Sequence, residues 1–220
     1  MTPRLYILVG PICGGKSTMQ QDLKDKGVLP LPSITNRPRR YGEAWDAYQF
    51  VRKGDVDKLP SLEVMCRRTF TIQSGEQYTY AFRNSVLIDS LVYGGPDSYS
   101  VVIDGYGAVE LIDFCKEYGV TYIVIEVTAP TLTLIKRARK RGDDISEVIR
   151  RLEDDEEGFD ELRNRHGMNM TVQTPDPEEE IVEVLTRVNR SMSDACCLGK
   201  VGVNTCAVGT KNRVRVYQRA

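Results

Sequence analysis

The sequence is poor in the residues that most often build metal sites and disulfide frameworks. Histidine and tryptophan occur once each among 220 residues, as His166 and Trp45, and the six cysteines form no C-x-x-C pair. This usage argues against a zinc cluster and favours reduced thiols. No run of about 20 apolar residues occurs, and the N-terminal apolar stretch is too short for a signal peptide. We therefore expect no membrane partner and a cytoplasmic location.

Charge of one sign is also lacking. The chain has 30 lysines and arginines against 31 aspartates and glutamates, which gives a net charge of −1. A balanced charge provides no general attraction to nucleic acid, so we expect no nucleic-acid partner. A hydrophobic content of 41% and a charged content of 28% are ordinary for a globular domain of this length. None of these quantities indicates an oligomeric state.

A glycine-rich segment near the N-terminus provides the first chemical signature. Residues 10–17 match the motif G-x-x-x-x-G-K-S, between an apolar run at 5–9 and a helical pattern at 17–26. In this context glycines turn backbone N–H groups inward and the helix N-terminus is electropositive, so the loop binds phosphate. Lys16 is expected to contact the β- and γ-phosphates of ATP, and Ser17 to ligate Mg²⁺. The predicted ATP-binding residues are Gly10, Pro11, Ile12, Cys13, Gly14, Gly15, Lys16, Ser17 and Thr18.

Apolar runs alternate with helical patterns along the chain, which predicts an α/β fold with a parallel sheet flanked by helices. The predicted strands are Leu5–Val9, Val28–Ile34, Ser100–Asp104, Thr121–Val127 and Met168–Gln173. The predicted helices are Ser17–Lys26, Ser85–Tyr93, Ala108–Tyr118, Thr131–Lys140, Ser146–Arg165 and Pro177–Asn189.

Three stretches do not follow this alternation. Residues 35–82 are rich in arginine and aromatic residues and suggest short antiparallel strands around a turn. Residues 137–150 are basic and join two helices, and residues 191–220 combine Ser, Gly, Cys and Val with a basic end. The first two stretches are candidates for insertions into the α/β core, and the third is a C-terminal extension of unknown role.

Several motifs after the glycine-rich loop occur in the order of a known family. Residues 33–43 read S-I-T-N-R-P-R-R-Y-G-E, Tyr48-Gln49-Phe50 follows, and residues 75–80 read G-E-Q-Y-T-Y. These segments resemble the guanylate kinase patterns S-x-T-T-R-x-x-R-x-G-E, D-Y-x-F and G-x-x-Y-G-T. Val101–Asp104 is similar to the family's L-D-I-D strand end, and residues 137–152 are similar to its R-L-x-x-R-G … R-L lid. The resemblance covers residues 4–190.

The resemblance implies a P-loop nucleoside monophosphate (NMP) kinase. It divides a domain at 1–190 into a P-loop NTPase core, an inserted NMP-binding β subdomain at 35–82 and a helical lid at 137–150. The implied reaction transfers the γ-phosphoryl group of ATP, with Mg²⁺, to GMP or dGMP and yields the nucleoside diphosphate and ADP. The implied partners are therefore ATP and a nucleoside monophosphate.

The resemblance also implies roles for particular side chains. The acceptor phosphate is assigned to Arg37, Arg40, Tyr48 and Tyr78, and the base to Ser33, Thr69, Tyr80 and Asp104. The implied catalytic residues are Lys16, Arg37, Arg137, Arg141 and Arg151. A register shift of one residue would replace Arg151 by Arg150. Helical spacing places Arg139 away from Arg137 and Arg141, towards solvent.

The base site departs from the family pattern. Thr69 stands where the family has a glutamate, Tyr80 replaces a small hydroxyl residue, and Val102 replaces the first aspartate of L-D-I-D. Without the glutamate the site loses about 1.5–3 kcal/mol of discrimination for guanine. Another nucleotide, a sugar phosphate or a non-catalytic interaction module therefore stay open as alternatives. Trp45 is expected to pack within the acceptor segment.

Overall fold

The computed structural model describes residues 4–40, 43–72, 74–94 and 98–174. The strands in chain order are β1 (Arg4–Val9), β2 (Leu29–Pro30), β3 (Ile34–Thr35), β4 (Gln49–Phe50), β5 (Val64–Thr71), β6 (Gln77–Arg83), β7 (Ser98–Val102), β8 (Thr121–Thr128) and β9 (Met170–Gln173). The helices are α1 (Lys16–Asp25), α2 (Asn84–Leu91), α3 (Gly105–Glu117), α4 (Thr131–Arg141) and α5 (Ile145–Arg165). The helix predicted at 177–189 and the extension at 191–220 lie outside the described residues.

A parallel sheet in the order β2-β7-β1-β8-β9 forms the centre of the fold, as the alternating pattern predicts. The surroundings of strand β1 explain why its sequence is continuously apolar. Leu5, Ile7 and Val9 face a hydrophobic core that contains α3 side chains, whereas Tyr6 and Leu8 face a second core with α1. Successive strand residues point to opposite faces, so a sheet covered on both sides needs apolar residues at every position.

The predicted strand at 28–34 is wrong as a single element. The chain forms β2 at the edge of the parallel sheet and then β3 in a second sheet. Pro30 and Pro32 cause the break, because proline has no backbone N–H to continue a ladder. Leu31 makes the last bond to the central sheet, from its N–H to the carbonyl of Ser100 (2.8 Å).

The second sheet has the order β4-β3-β6-β5 and comes from the stretch that the sequence marks as an insertion. Strands β5 and β6 form the expected antiparallel hairpin, and β3 pairs antiparallel to β6. The β3–β4 pair is parallel, because a long connection joins these two short strands.

The remaining helices follow the predicted order, with small shifts at their ends. Helix α3 begins at Gly105 rather than Ala108, because the side chain of Asp104 caps it by accepting the N–H of Gly107 (3.0 Å). Helix α4 ends at Arg141, one residue beyond the predicted end, and Gly142 follows it with a φ of +80°. Helices α3 and α5 cross closely: a Cβ on Gly105 would lie 2.3 Å from the Gly158 carbonyl. Within the described ranges, no helix is both long and apolar enough to cross a bilayer.

Candidate active site

The glycine-rich loop between β1 and α1 is built against the neighbouring strand β8. A Cβ on Gly10 would lie 2.1 Å from the carbonyl oxygen of Val127, and one on Gly14 would lie 2.5 Å from the same oxygen. Gly15 has a φ of +100° and begins α1. Glycine is therefore required by close approach at two positions and by backbone conformation at a third.

Lys16 folds back over this loop. Its Nζ donates hydrogen bonds to the carbonyl oxygens of Gly10 (2.6 Å) and Pro11 (2.8 Å). Burial lowers the pKa of Lys16 to about 8, although the carboxylate of Asp155 acts in the opposite direction. An anion bound beside Nζ would favour the charged amine and reverse this effect.

A cavity of about 590 Å³ opens directly beyond the loop, and we call it the central cavity. The loop side of its wall consists of Gly10, Ile12, Cys13, Gly14, Gly15, Lys16, Ser17 and Thr18. The side formed by the small sheet and its connections consists of Ser33, Arg40, Tyr48, Cys66, Phe70, Tyr80, Ala81 and Phe82. The end of β7 and helices α4 and α5 add Val102, Ile103, Asp104, Arg137, Lys140, Arg141, Arg151 and Asp155, and Thr174 completes the wall.

The two predicted acceptor arginines occupy different environments. Arg40 lines the central cavity, and burial, together with the positive charges of Arg141 and Arg37, lowers its pKa. Arg37 is buried beneath this surface, where its Nη2 donates to Oε1 of Glu43 (2.7 Å) and its Nε to the hydroxyl of Tyr80 (2.9 Å). Arg40 is therefore the guanidinium that faces the central cavity, whereas Arg37 lines a separate groove.

Glu43 joins the two arginines. Its Oε1 accepts from Arg37, and its Oε2 accepts from the backbone N–H of Arg40 (2.9 Å). Burial acts to raise the pKa of Glu43, but these hydrogen bonds outweigh it and hold the pKa below its ordinary range. Glu43 thus fixes the conformation of the segment that presents Arg40 to the cavity.

Four other predicted residues lie in the wall and two do not. Tyr48, Tyr80, Ser33 and Asp104 line the central cavity. Tyr78 is half-buried, with its hydroxyl donating to Glu76 (2.8 Å), and it lines a separate groove. Thr69 also lies outside the wall. The acceptor contacts assigned to Tyr78, Thr69 and Arg37 therefore stay predictions from the resemblance.

The lid arginines lie close to the glycine-rich loop. Arg137 donates from Nη1 to the carbonyl oxygen of Cys13 (3.1 Å) and to the hydroxyl of Thr174 (2.9 Å). Arg141 donates from Nε to Asp143 (2.6 Å), whose carboxylate lies 3.8 Å from the thiol of Cys13. Both arginines line the central cavity, whereas Arg139 is exposed, as helical spacing predicts.

The choice between Arg150 and Arg151 is clear in the structure. Arg151 lines the central cavity, with its Cζ 5.0 Å from the ring centroid of Phe70. Arg150 instead binds Glu147 (2.8 Å) and the backbone carbonyl of Thr71 (2.7 Å). Helix α5 therefore presents Arg151 to the cavity.

Asp155 is a cavity residue that sequence reasoning missed. It follows Arg151 by four residues, so the two share one face of α5, and this spacing was the available signal. Burial raises the pKa of Asp155, while Lys16 and Arg151 oppose that shift. Thr174 and Phe70 also lie in the wall and belong to no motif.

Trp45 does not pack as expected. Its side chain is 77% exposed, and the guanidinium of Arg39 lies 4.0 Å from its ring centroid. The acceptor segment is instead held together by the bonds of Glu43, so the prediction of a packing tryptophan is wrong.

The arrangement separates two kinds of chemistry within one cavity. One side offers backbone N–H groups, an amine and hydroxyls, which suit a triphosphate, and the other offers a guanidinium beside aromatic rings. Four arginines converge on the space between them: Arg40, Arg137, Arg141 and Arg151. Clustered guanidinium groups bind phosphate oxygens and stay charged at every working pH.

Comparisons with known proteins support the fold. No family profile and no curated protein sequence matches the chain. Among solved structures, the chain is similar to the guanylate kinase from Anaplasma phagocytophilum, with a TM-score of 0.55 and 19% sequence identity. This similarity covers 88% of this chain and 86% of that chain. The chain therefore shares its overall fold, a parallel sheet flanked by helices, with that structure.

Proposed function

We propose that this protein is a nucleoside monophosphate kinase, which transfers the γ-phosphoryl group of ATP to an acceptor such as GMP or dGMP. The observation that carries the proposal is the central cavity, because the glycine-rich loop and Arg40 line the same space of about 590 Å³. A donor triphosphate on the loop and an acceptor phosphate on Arg40 would then face each other. The products are ADP and the nucleoside diphosphate.

The donor side is assigned to the loop and helix α1. Lys16 would contact the β- and γ-phosphates, and Ser17 would ligate the Mg²⁺ that accompanies ATP. Oxygen donors suit this hard cation, and the wall offers the Ser17 hydroxyl with the carboxylates of Asp104 and Asp155. Within the described ranges, no cluster of three His, Cys, Asp or Glu side chains could hold a metal by itself, so the ion would arrive with the triphosphate.

The acceptor side needs no general base. A phosphate monoester has its second pKa near 6, so the attacking oxygen is already ionised at neutral pH. The barrier comes instead from repulsion between two anions and from their alignment. Arg40 would hold the acceptor phosphate, with Arg37 and Glu43 fixing its segment. Arg137, Arg141 and Arg151 would neutralise the transferring group.

We assign the divisions of the chain accordingly. Residues 35–82 form the acceptor-binding subdomain, and residues 137–150 form a lid whose closure would exclude water and prevent hydrolysis of ATP. The bond from Arg137 to the carbonyl of Cys13 and the 3.8 Å contact between the Cys13 thiol and Asp143 support this assignment, because both join the segment to the loop.

The test is ADP release from Mg-ATP in the presence of GMP, dGMP, AMP, UMP, CMP or TMP, added one at a time. We expect turnover that depends on acceptor and is lost without Mg²⁺. Absence of turnover with every nucleotide would overturn the proposal. Turnover with a phosphorylated sugar alone would identify a kinase of the same fold with a different acceptor.

A further inference from the structure

The hairpin of β5 and β6 turns the residue at the family's glutamate position away from the central cavity. Thr69 pairs with Thr79 across the two strands, and their hydroxyl oxygens lie 3.0 Å apart. The Thr79 hydroxyl in turn donates to Asp57 (2.9 Å), and Thr79 is buried. This chain of hydrogen bonds runs on the side of the hairpin that faces Asp57. Neither threonine is therefore placed to read an acceptor base.

The hairpin side chains that do face the cavity include no carboxylate that could accept the N–H groups of guanine. Strand β5 contributes Cys66 and Phe70, and β6 contributes Tyr80, Ala81 and Phe82. The Tyr80 hydroxyl accepts a hydrogen bond from Arg37 (2.9 Å), which leaves it as a donor.

The carboxylate of Asp104, at the end of β7, is also engaged. Its Oδ1 accepts the N–H of Gly107 and lies 3.5 Å from Nε of Arg68. Both contacts are made by Oδ1, and the Arg68 guanidinium partly offsets the negative charge that would act on the N–H groups of guanine.

The aromatic side chains form one continuous surface, which we call the aromatic wall (Tyr48, Phe70 and Tyr80). The ring centroids of Tyr48 and Tyr80 lie 5.9 Å apart, and those of Phe70 and Tyr80 lie 5.8 Å apart, both in edge-to-face contact. All three rings line the central cavity on the side of Arg40. An acceptor whose phosphate binds Arg40 would place its base beside them.

We propose that the aromatic wall holds the acceptor base by stacking, and that the site consequently discriminates weakly among bases. Every base has an aromatic face, so stacking on side chains tolerates changes of base, whereas a carboxylate that reads N–H groups does not. This inference rests on the proposed function and specifies its substrate class: nucleoside monophosphates in general, not those of guanine alone.

The test compares kcat/KM for GMP, AMP, CMP and UMP with that for ribose 5-phosphate, which has the same phosphate and sugar but no base. We expect the four nucleotides to agree within about tenfold, below the roughly tenfold to hundredfold discrimination of a charge-assisted readout. Each should exceed ribose 5-phosphate by roughly tenfold or more. Preference for one nucleotide beyond about tenfold, or equal use of ribose 5-phosphate, would overturn the inference.

Two variants test whether the aromatic wall is the part of the site that binds the base. Phe70→Leu keeps an apolar side chain but removes the ring, so kcat/KM for every nucleotide should fall by about tenfold while the value for ribose 5-phosphate stays constant. Thr71→Val, on the exposed side of β5 and outside the cavity wall, should leave all ratios unchanged, and altered base preference in this variant would contradict the placement. Should Phe70→Leu fail to fold, the wild-type ratios decide alone.

The inference and the proposed function can fail separately. A strict preference for GMP would retain phosphoryl transfer and reject stacking. If no acceptor is phosphorylated, calorimetric titration with the four nucleotides and ribose 5-phosphate still tests the wall. Similar dissociation constants for the nucleotides, with weaker ribose 5-phosphate binding, would support it, and binding of one nucleotide alone would reject it.

Discussion

The two sides of the central cavity are built by different means. On the donor side, Gly10 and Gly14 press against the carbonyl of Val127, so the loop's shape follows from the backbone itself. On the acceptor side, the surface consists of side chains from separate segments, such as Tyr48 just before β4 and Phe70 in β5. A site shaped by the backbone requires particular residues in its loop, whereas a site formed by side chains can change its specificity when one side chain is replaced. This difference explains why the sequence contains a recognisable motif for the proposed phosphate site and none for the proposed base site.

The largest expected effect comes from removing the amine on the donor side. Lys16→Ala should lower kcat/KM for ATP by about a hundredfold to a thousandfold, because an aligned donor to the transferring phosphate is lost. The measurement is steady-state ADP release, with circular dichroism to confirm folding. Lys24→Ala is the matched control, since Lys24 also lies on α1 but pairs with Asp46 at the surface (2.9 Å). Equal activity of both variants would contradict the donor assignment.

Adjacent arginines on α5 allow a second comparison. Arg151→Ala should reduce kcat by about tenfold to a hundredfold, because Arg151 lines the central cavity, where the proposed function places the two phosphates. Arg150→Ala should stay within about twofold of wild type, since Arg150 lies outside the cavity wall, where it pairs with Glu147 and Asp154 and donates to the Thr71 carbonyl. A larger loss in the Arg150 variant would show that the register on α5 is wrong.

A substitution of Glu43 tests how strongly acceptor binding depends on the hydrogen bonds that Glu43 makes to the segment of Arg37 and Arg40. Glu43→Gln keeps the shape but loses the charge that holds Arg37, and the acceptor KM should rise by about threefold to tenfold. The KM for ATP should not change, because the loop lies across the cavity. An unchanged acceptor KM would mean that Arg40 is presented correctly without this carboxylate.

The smallest expected effect, about twofold at pH 8, is on pH dependence, and it belongs to the donor side. With a pKa of about 8, Lys16 in the free protein is charged below that pH and loses its charge above it. ATP binding requires the charged amine, so the affinity should fall above pH 8 by up to about tenfold per unit, with proton uptake on binding. Calorimetry in buffers of different ionisation enthalpy measures both. Lys16→Met should bind weakly and show no such dependence.

The loop and the order of the main elements were predictable because their causes are local. A glycine motif between a strand and a helix, or an apolar run such as that of β1, needs no distant partner to be interpreted. The placements of Thr69 and Asp155 were not predictable in this way. The first depends on which face of a hairpin a residue takes, and the second on the close crossing of α3 and α5 at Gly105 and Gly158. Both are set by tertiary packing.

The strand predicted at 28–34 is a second place where the structure differs from the prediction, and here the cause is local. An apolar run suggested one continuous element, but Pro30 and Pro32 end its hydrogen bonding, and the chain then enters the second sheet. The two prolines were therefore a better indicator of where the strand ends than the apolar run. The small acceptor sheet begins where the ladder of the central sheet is interrupted.

The central claim is that two anion sites face each other across one cavity, and Arg40→Ala tests it most directly. Initial rates of ADP release should be measured against acceptor concentration at saturating Mg-ATP, and against Mg-ATP at a fixed acceptor concentration. The account predicts an acceptor KM that rises by about tenfold or more, with a nearly unchanged KM for ATP. An acceptor KM equal to that of wild type in a folded Arg40→Ala variant would contradict it.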